Sequence, residues 1–374
     1  MRLHGLYDGR LYGSDYQTLY AETRPGRFAA TGRLTNPMCG RDYLRSQALT
    51  ARFPKRLVEY TVGAFPTTNV WALPGDAVLA TLDRWLLLSR DGGASWRPVR
   101  ELPRSSGPMG VLPTALCRDG DRLLLGEYPL GDEVPNVLES TDGGRSWSTL
   151  LALPEVRHVH AIQADPYSGD VWVTTGDADE ECRIARLREG SGEVELDVVG
   201  TGSQRWRAVE LAFTPEAVLW GMDCTYAEDN HLLRVARDEL DDDPDPEVVG
   251  TASGSVFYSA TWGHDGTQWI AFSTALETGL DSTSPTDRRV NRTTSADVLV
   301  SSSDVDFERW ETLASYGKRR ALADYTGGRL PTASTYVFLA ASDDRGLFVN
   351  PYNTDRHDGK VRQYRPEVLA GLAL

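Results

Sequence analysis

Two copies of one eight-residue phrase constrain this chain more than anything else in it. Ser89-Arg90-Asp91-Gly92-Gly93-Ala94-Ser95-Trp96 recurs as Ser140-Thr141-Asp142-Gly143-Gly144-Arg145-Ser146-Trp147, with the aspartates 51 residues apart. A degraded third copy, Ser302-Ser303-Asp304-Val305-Asp306 followed by Trp310, starts 162 residues after the second. Between them Trp172, Trp220 and Trp269 each sit in a short apolar run, at spacings of 48 and 49. Two unrelated markers therefore report one period of about 50, and a fixed period of this size is the signature of a repeat architecture.

The content of one period identifies the unit. Residues 157–202 divide into HVHAIQADP, VWVTTGD, RIARLRE and VELDVVG, separated by turn residues, which predicts a four-stranded meander. One such sheet cannot bury both faces, so the copies must pack on one another, as the blades of a β-propeller do. The expected fold is all-β, a single propeller over 1–374 with six or seven blades, seven preferred. Periods start near residues 70, 108, 157, 205, 255 and 320, with most of another blade at the N-terminus. Residues 36–68 fit the period badly and are expected to be helical or an irregular crossing, and 278–296 reads as a long loop insertion.

Composition narrows the function classes. The net charge of −15 opposes phosphate backbones and argues against nucleic-acid partners. No apolar run is long enough for a membrane-spanning helix, and the first residues lack the apolar stretch of an export signal, so a cytoplasmic location is expected. Only three of the 39 basic residues are lysines, and aspartates outnumber glutamates 33 to 21. Such an acidic, lysine-poor chain suits a high-salt cytoplasm, where surface carboxylates keep a protein hydrated. Cys39, Cys117, Cys182 and Cys224 are widely spaced, which favours buried thiols in a reducing compartment over disulfides or zinc.

The S-x-D-G-G-x-S-W phrase resembles the Asp-box, or BNR repeat, of sialidase-like propellers, including BNR proteins loosely described as glycosyl hydrolases. The resemblance implies that Asp91, Trp96, Asp142, Trp147 and Asp304 are structural residues of hairpins between third and fourth strands. It implies a carbohydrate-active propeller, a glycoside hydrolase or polysaccharide lyase acting on a glycan, acidic sugars included, at the mouth of the axial channel. The alternative is a non-catalytic propeller that binds a glycan or a protein partner. The F/Y-R-I-P motif of sialidases is absent, which argues against sialidase activity itself.

The meander also sorts the loops by face. Loops entering first strands, and loops joining second to third strands, share the face opposite the Asp-box hairpins. That places His158, His160, Tyr258 and Asp177 as candidate catalytic groups, with Arg157, Arg207, Asp223, Tyr226 and Glu277 as candidate substrate ligands. A histidine or tyrosine could move a proton while an arginine neutralises a sugar carboxylate, or two carboxylates could flank a glycosidic bond. No cofactor is expected. His158 and His160, alternate residues on one face of a strand, leave a divalent metal there as an open alternative.

Overall fold

The computed structural model describes residues 1–190, 192–278, 293–327 and 329–372. Seven antiparallel sheets follow one another along the chain, each with its strands in sequence order, six of four strands and the last of three. They are the blades of a seven-bladed β-propeller, built on residues 2–33, 70–101, 116–152, 158–201, 211–252, 256–317 and 336–364. No helix among the described residues is long and apolar enough to cross a membrane. The chain forms two compact units, Met1–Val159 with Arg320–Thr332, and His160–Arg319 with Ala333–Leu374.

In the first unit, residues 36–68 form two helices, α1 (Gly40–Thr50) and α2 (Arg52–Val62). The seventh blade starts at Tyr336 instead of near 320, because Leu322–Tyr325 is a turn of 3-10 helix belonging to the first unit and lying against α2. The third blade likewise starts later than expected, at Leu116.

The two full repeats of the eight-residue phrase are hairpin turns between third and fourth strands, and their chemistry explains their composition. Asp142 accepts hydrogen bonds from the amides of Arg145 (2.8 Å) and Ser146 (3.0 Å) and from the Ser146 hydroxyl (2.7 Å). Ser140 Oγ accepts from the Gly144 amide at 2.9 Å, and the Trp147 indole donates to the Gly144 carbonyl at 3.2 Å. Gly143 and Gly144 have φ of 71° and 84°, which a side chain would disfavour. Asp91 repeats the pattern with the Ser95 amide at 2.9 Å and hydroxyl at 2.6 Å, and Trp96 donates to the Gly93 carbonyl at 2.9 Å. Burial works against ionised Asp142, yet the bonds from Ser146 and Ser140 and the Arg145 amide hold its carboxyl at about 2. Asp304 differs. Its carboxylate accepts from Thr267 Oγ1, on the second strand of the same blade, at 3.0 and 3.1 Å. Asp142→Ala should lower stability by about 1–2 kcal/mol, the cost of unpaired turn donors that are only partly screened from water. Chemical denaturation reads this directly, and an unchanged midpoint would remove the structural role.

In the second unit the first strands of successive blades are joined by side chains at the repeat spacing. Gln163 exchanges two hydrogen bonds with the backbone of Leu211, 48 residues on, at 2.8 and 3.0 Å. Ser259 Oγ donates to the Leu211 carbonyl, again across 48 residues, at 3.2 Å. The period seen in the sequence is thus the register of neighbouring blades. Between blades lies the apolar core: Trp172 and Trp220 are buried with Ile184, Phe213 and Leu233, and Trp269 with Trp262 and Val300.

Candidate functional site

The first strand of the fourth blade, His158–Ala164, carries His160 in the second unit. The second strand, Val171–Gly176, delivers Asp177 at its end. A 3-10 turn, Gln204–Trp206, precedes Arg207 at the entry to the fifth blade, and Asp223 follows that blade's second strand, Ala217–Gly221. These four side chains meet. Arg207 Nη2 lies 2.8 Å from Asp177 Oδ1, and its Nε lies 3.2 Å from Asp223 Oδ2. His160 Nε2 is 3.8 Å from Asp177 Oδ1, while its Nδ1 faces the Ala208 carbonyl at 3.1 Å.

The backbone makes this closeness possible. Gly176 stands where a Cβ would approach His160 Cε1 to 2.8 Å and Arg207 Cγ to 3.1 Å, so a larger residue there would displace the imidazole and the arginine stem. Gln204 braces the turn, donating to the Asp177 carbonyl at 2.9 Å and to Asp179 Oδ1 at 2.8 Å. The Asp223 amide donates to the Arg207 carbonyl at 3.0 Å, which ties the two loops together.

The electrostatics favour a fixed cation among carboxylates. Burial works against charged Arg207, but Asp223, Asp177 and Glu277 outweigh it and hold the guanidinium well above its ordinary range. One cation is therefore answered by three carboxylates, and the cluster is net negative. Asp223 is 3% exposed, and its Oδ1 has no hydrogen-bond donor among the described residues. Burial pushes the Cys182 thiol beside the cluster up to about 12, which keeps it an inert thiol.

The other candidates stand as follows. Glu277 accepts from Ser255 Oγ at 2.6 Å. Tyr226 is half-buried, and its hydroxyl is pushed up by burial and then by the charges of Cys224 and Asp179. Tyr258 is buried in an aromatic cluster with Phe257, Tyr336 and Phe338. In the first unit, buried His158 stacks on Tyr128 at 3.8 Å and faces the Pro129 carbonyl at 3.3 Å. Arg157 Nη2 donates to the Leu130 carbonyl at 3.5 Å. Most of the expected insertion, 279–292, lies outside the described residues.

Two residues escaped the sequence reading. Gln204 carries no motif, and only its place three residues before Arg207 could have drawn attention to it. Glu210, at the start of the fifth blade, accepts the Ser259 amide at 2.5 Å, and burial pushes its carboxyl up to about 8. A carboxylate next to the buried run Leu211-Ala212-Phe213 was the available signal.

No protein-family model matches the sequence, and no curated protein matches it. Among solved structures the chain is similar to an ancestral GH74 enzyme, at 11% identity and a TM-score of 0.44, over 82% of this chain and 39% of that one. It is similar to dihydro-heme d1 dehydrogenase NirN in complex with DHE, at 13% identity and 0.44, over 96% of this chain and 63% of that one. It is also similar to YCF48 from Cyanidioschyzon merolae, at 12% identity and 0.47, over 98% of each chain. The chain spans less than two thirds of the length of the first two.

Proposed function

We propose that this propeller binds an uncharged saccharide at the Asp177–Arg207–Asp223 cluster. The observation that carries the reading is the buried Asp223 carboxylate, one oxygen of which lies beside Arg207 while the other lacks a donor among the described residues. A buried acceptor without a donor costs free energy that a ligand hydroxyl can recover, and paired sugar hydroxyls suit a rigid set of carboxylate and guanidinium groups. Arg207 is occupied by two carboxylates, so it is poorly placed to neutralise a uronic acid, and the net negative cluster repels acidic sugars. This weighs against the lyase reading and against an acidic glycan.

Hydrolysis is the second reading, favoured by one observation. Glu210, with a carboxyl at about 8, is the kind of group that donates a proton at neutral pH. The two S-x-D-G-G-x-S-W turns support membership of the Asp-box propellers. The lysine-poor, acidic composition supports a high-salt setting. Four free thiols, three of them buried and Cys39 exposed, support a reducing one.

Titration with neutral and uronic-acid oligosaccharides tests the proposal. Neutral oligosaccharides are expected to bind, and Asp223→Asn should weaken them about tenfold or more by turning an ionised acceptor into an amide. Preference for uronic-acid ligands, or unchanged affinity in Asp223→Asn, would overturn it. Turnover of a bound glycoside that Glu210→Gln abolishes would move the assignment to the hydrolase.

A further inference from the structure

Helix α2 is inside out. Its inner face carries the ion pair of Lys55 and Glu59, both buried, with nitrogen and oxygen 3.6 Å apart. Lys55 donates to Thr67 Oγ1 at 3.0 Å and sits over the Tyr16 and Phe65 rings, and Glu59 accepts from the Tyr16 hydroxyl at 3.0 Å. Its outer face carries Phe53, Leu57 and Tyr60, exposed to 86, 67 and 62%. Their i, i+4, i+7 spacing makes one continuous stripe. Leu44 on α1 and Tyr325 on the adjoining 3-10 turn are also largely exposed. Eight of the thirteen exposed large apolar side chains among the described residues fall on α1, α2 and 322–330, so this is a concentrated patch and not scatter.

Charge is concentrated in the same place. The exposed charged residues of the two helices are Arg41, Arg45, Arg52 and Arg56 against Asp42 alone, and Asp42 is bound by Arg84 at 2.9 Å. Arg52 and Arg56 each precede a member of the apolar stripe, and Arg320 stacks on Tyr325. In a chain of net charge −15 this basic, aromatic-rich outer face is complementary to an anionic surface that the rest of the protein would repel.

We propose that the outer face of α1 and α2 docks this protein on an anionic lipid surface, with Phe53, Leu57 and Tyr60 entering the interface and the flanking arginines meeting headgroup phosphates. Interfacial helices combine an apolar stripe with cationic flanks and low overall hydrophobicity. Here the buried Lys55–Glu59 pair fixes which face of α2 is presented.

Flotation of the intact protein at the lowest salt at which it stays folded, with vesicles of phosphatidylglycerol and phosphatidylcholine or of phosphatidylcholine alone, tests this. Partitioning should be about tenfold or more greater on the anionic vesicles, given the contribution of each arginine near such a surface. Phe53→Asp with Leu57→Asp should abolish it, and Arg52→Glu with Arg56→Glu should remove the preference for anionic lipid. These positions are exposed, so the variants keep the fold. Equal partitioning on the two vesicle types, or binding indifferent to these substitutions, would overturn the proposal. A wild-type dimer in sedimentation that Phe53→Asp converts to monomer would assign the face to a second copy instead.

Discussion

Replacing Arg207 with alanine is expected to cost about 3–5 kcal/mol of stability, the penalty for breaking a buried ion pair from one side. The guanidinium is in contact with Asp177 at 2.8 Å and Asp223 at 3.2 Å. Its loss leaves carboxylates facing one another with Glu277 close enough to act on the same group. Truncation also empties the space that Gly176 keeps open for the arginine stem. The effect is a charge effect first, and a second substitution separates the two. In the Arg207→Ala background, Asp223→Asn should recover a substantial part of the loss, because it removes the uncompensated charge, whereas in the wild-type background it should destabilise. A double-mutant cycle by urea denaturation measures this coupling. Additive costs would mean that Arg207 acts through packing alone.

Glu210 should make the protein less stable as the solution becomes alkaline. Its carboxyl is pushed up to about 8 in the folded protein by burial, against 4.5 in the unfolded chain. Between these values the folded state holds a proton that the unfolded chain has released, so stability falls as pH rises through that window and levels off above it. The full change is at most on the order of 5 kcal/mol. Glu210→Gln carries no titrating group, keeps an oxygen for the Ser259 amide, and removes this slope. The variant should match the wild type near pH 5 and exceed it near pH 9, measured as unfolding free energy across pH. Parallel curves for the two proteins would show that Glu210 is ionised and solvated in the native state.

The hairpin turns were legible because their bonds are short-range, and the blade period because the same local pattern recurs along the chain. Ser140, Asp142, Gly144, Ser146 and Trp147 satisfy one another within eight residues, so the residue types alone carry the geometry. The strands of the fourth blade were readable for the same reason, since each is a run of apolar residues ended by turn chemistry. The helical reading of 36–68 came only from a failure of that pattern. What the sequence by itself determined is therefore the meander, its repetition at about 50 residues and the turns that close it, while the count of seven and the starts of the third and seventh blades came from the structure.

Only the tertiary structure decided how charges are paired. Asp177 and Arg207 are 30 residues apart and meet because neighbouring blades are in register at 48, a distance over which no local propensity acts. Arg207 read as a free clamp from its position, and the two carboxylates that occupy it come from separate loops. Glu210 looked like any acidic residue until the adjoining blade half-buried it against the Ser259 amide. On α2 the spacing of Phe53, Leu57 and Tyr60 would ordinarily mark the side that packs inward. The protein turns it outward, because Lys55 and Glu59 find Thr67 and Tyr16 to bond on the inner side. A buried polar group is tolerated only where partners exist, and where those partners stand is a property of the folded chain.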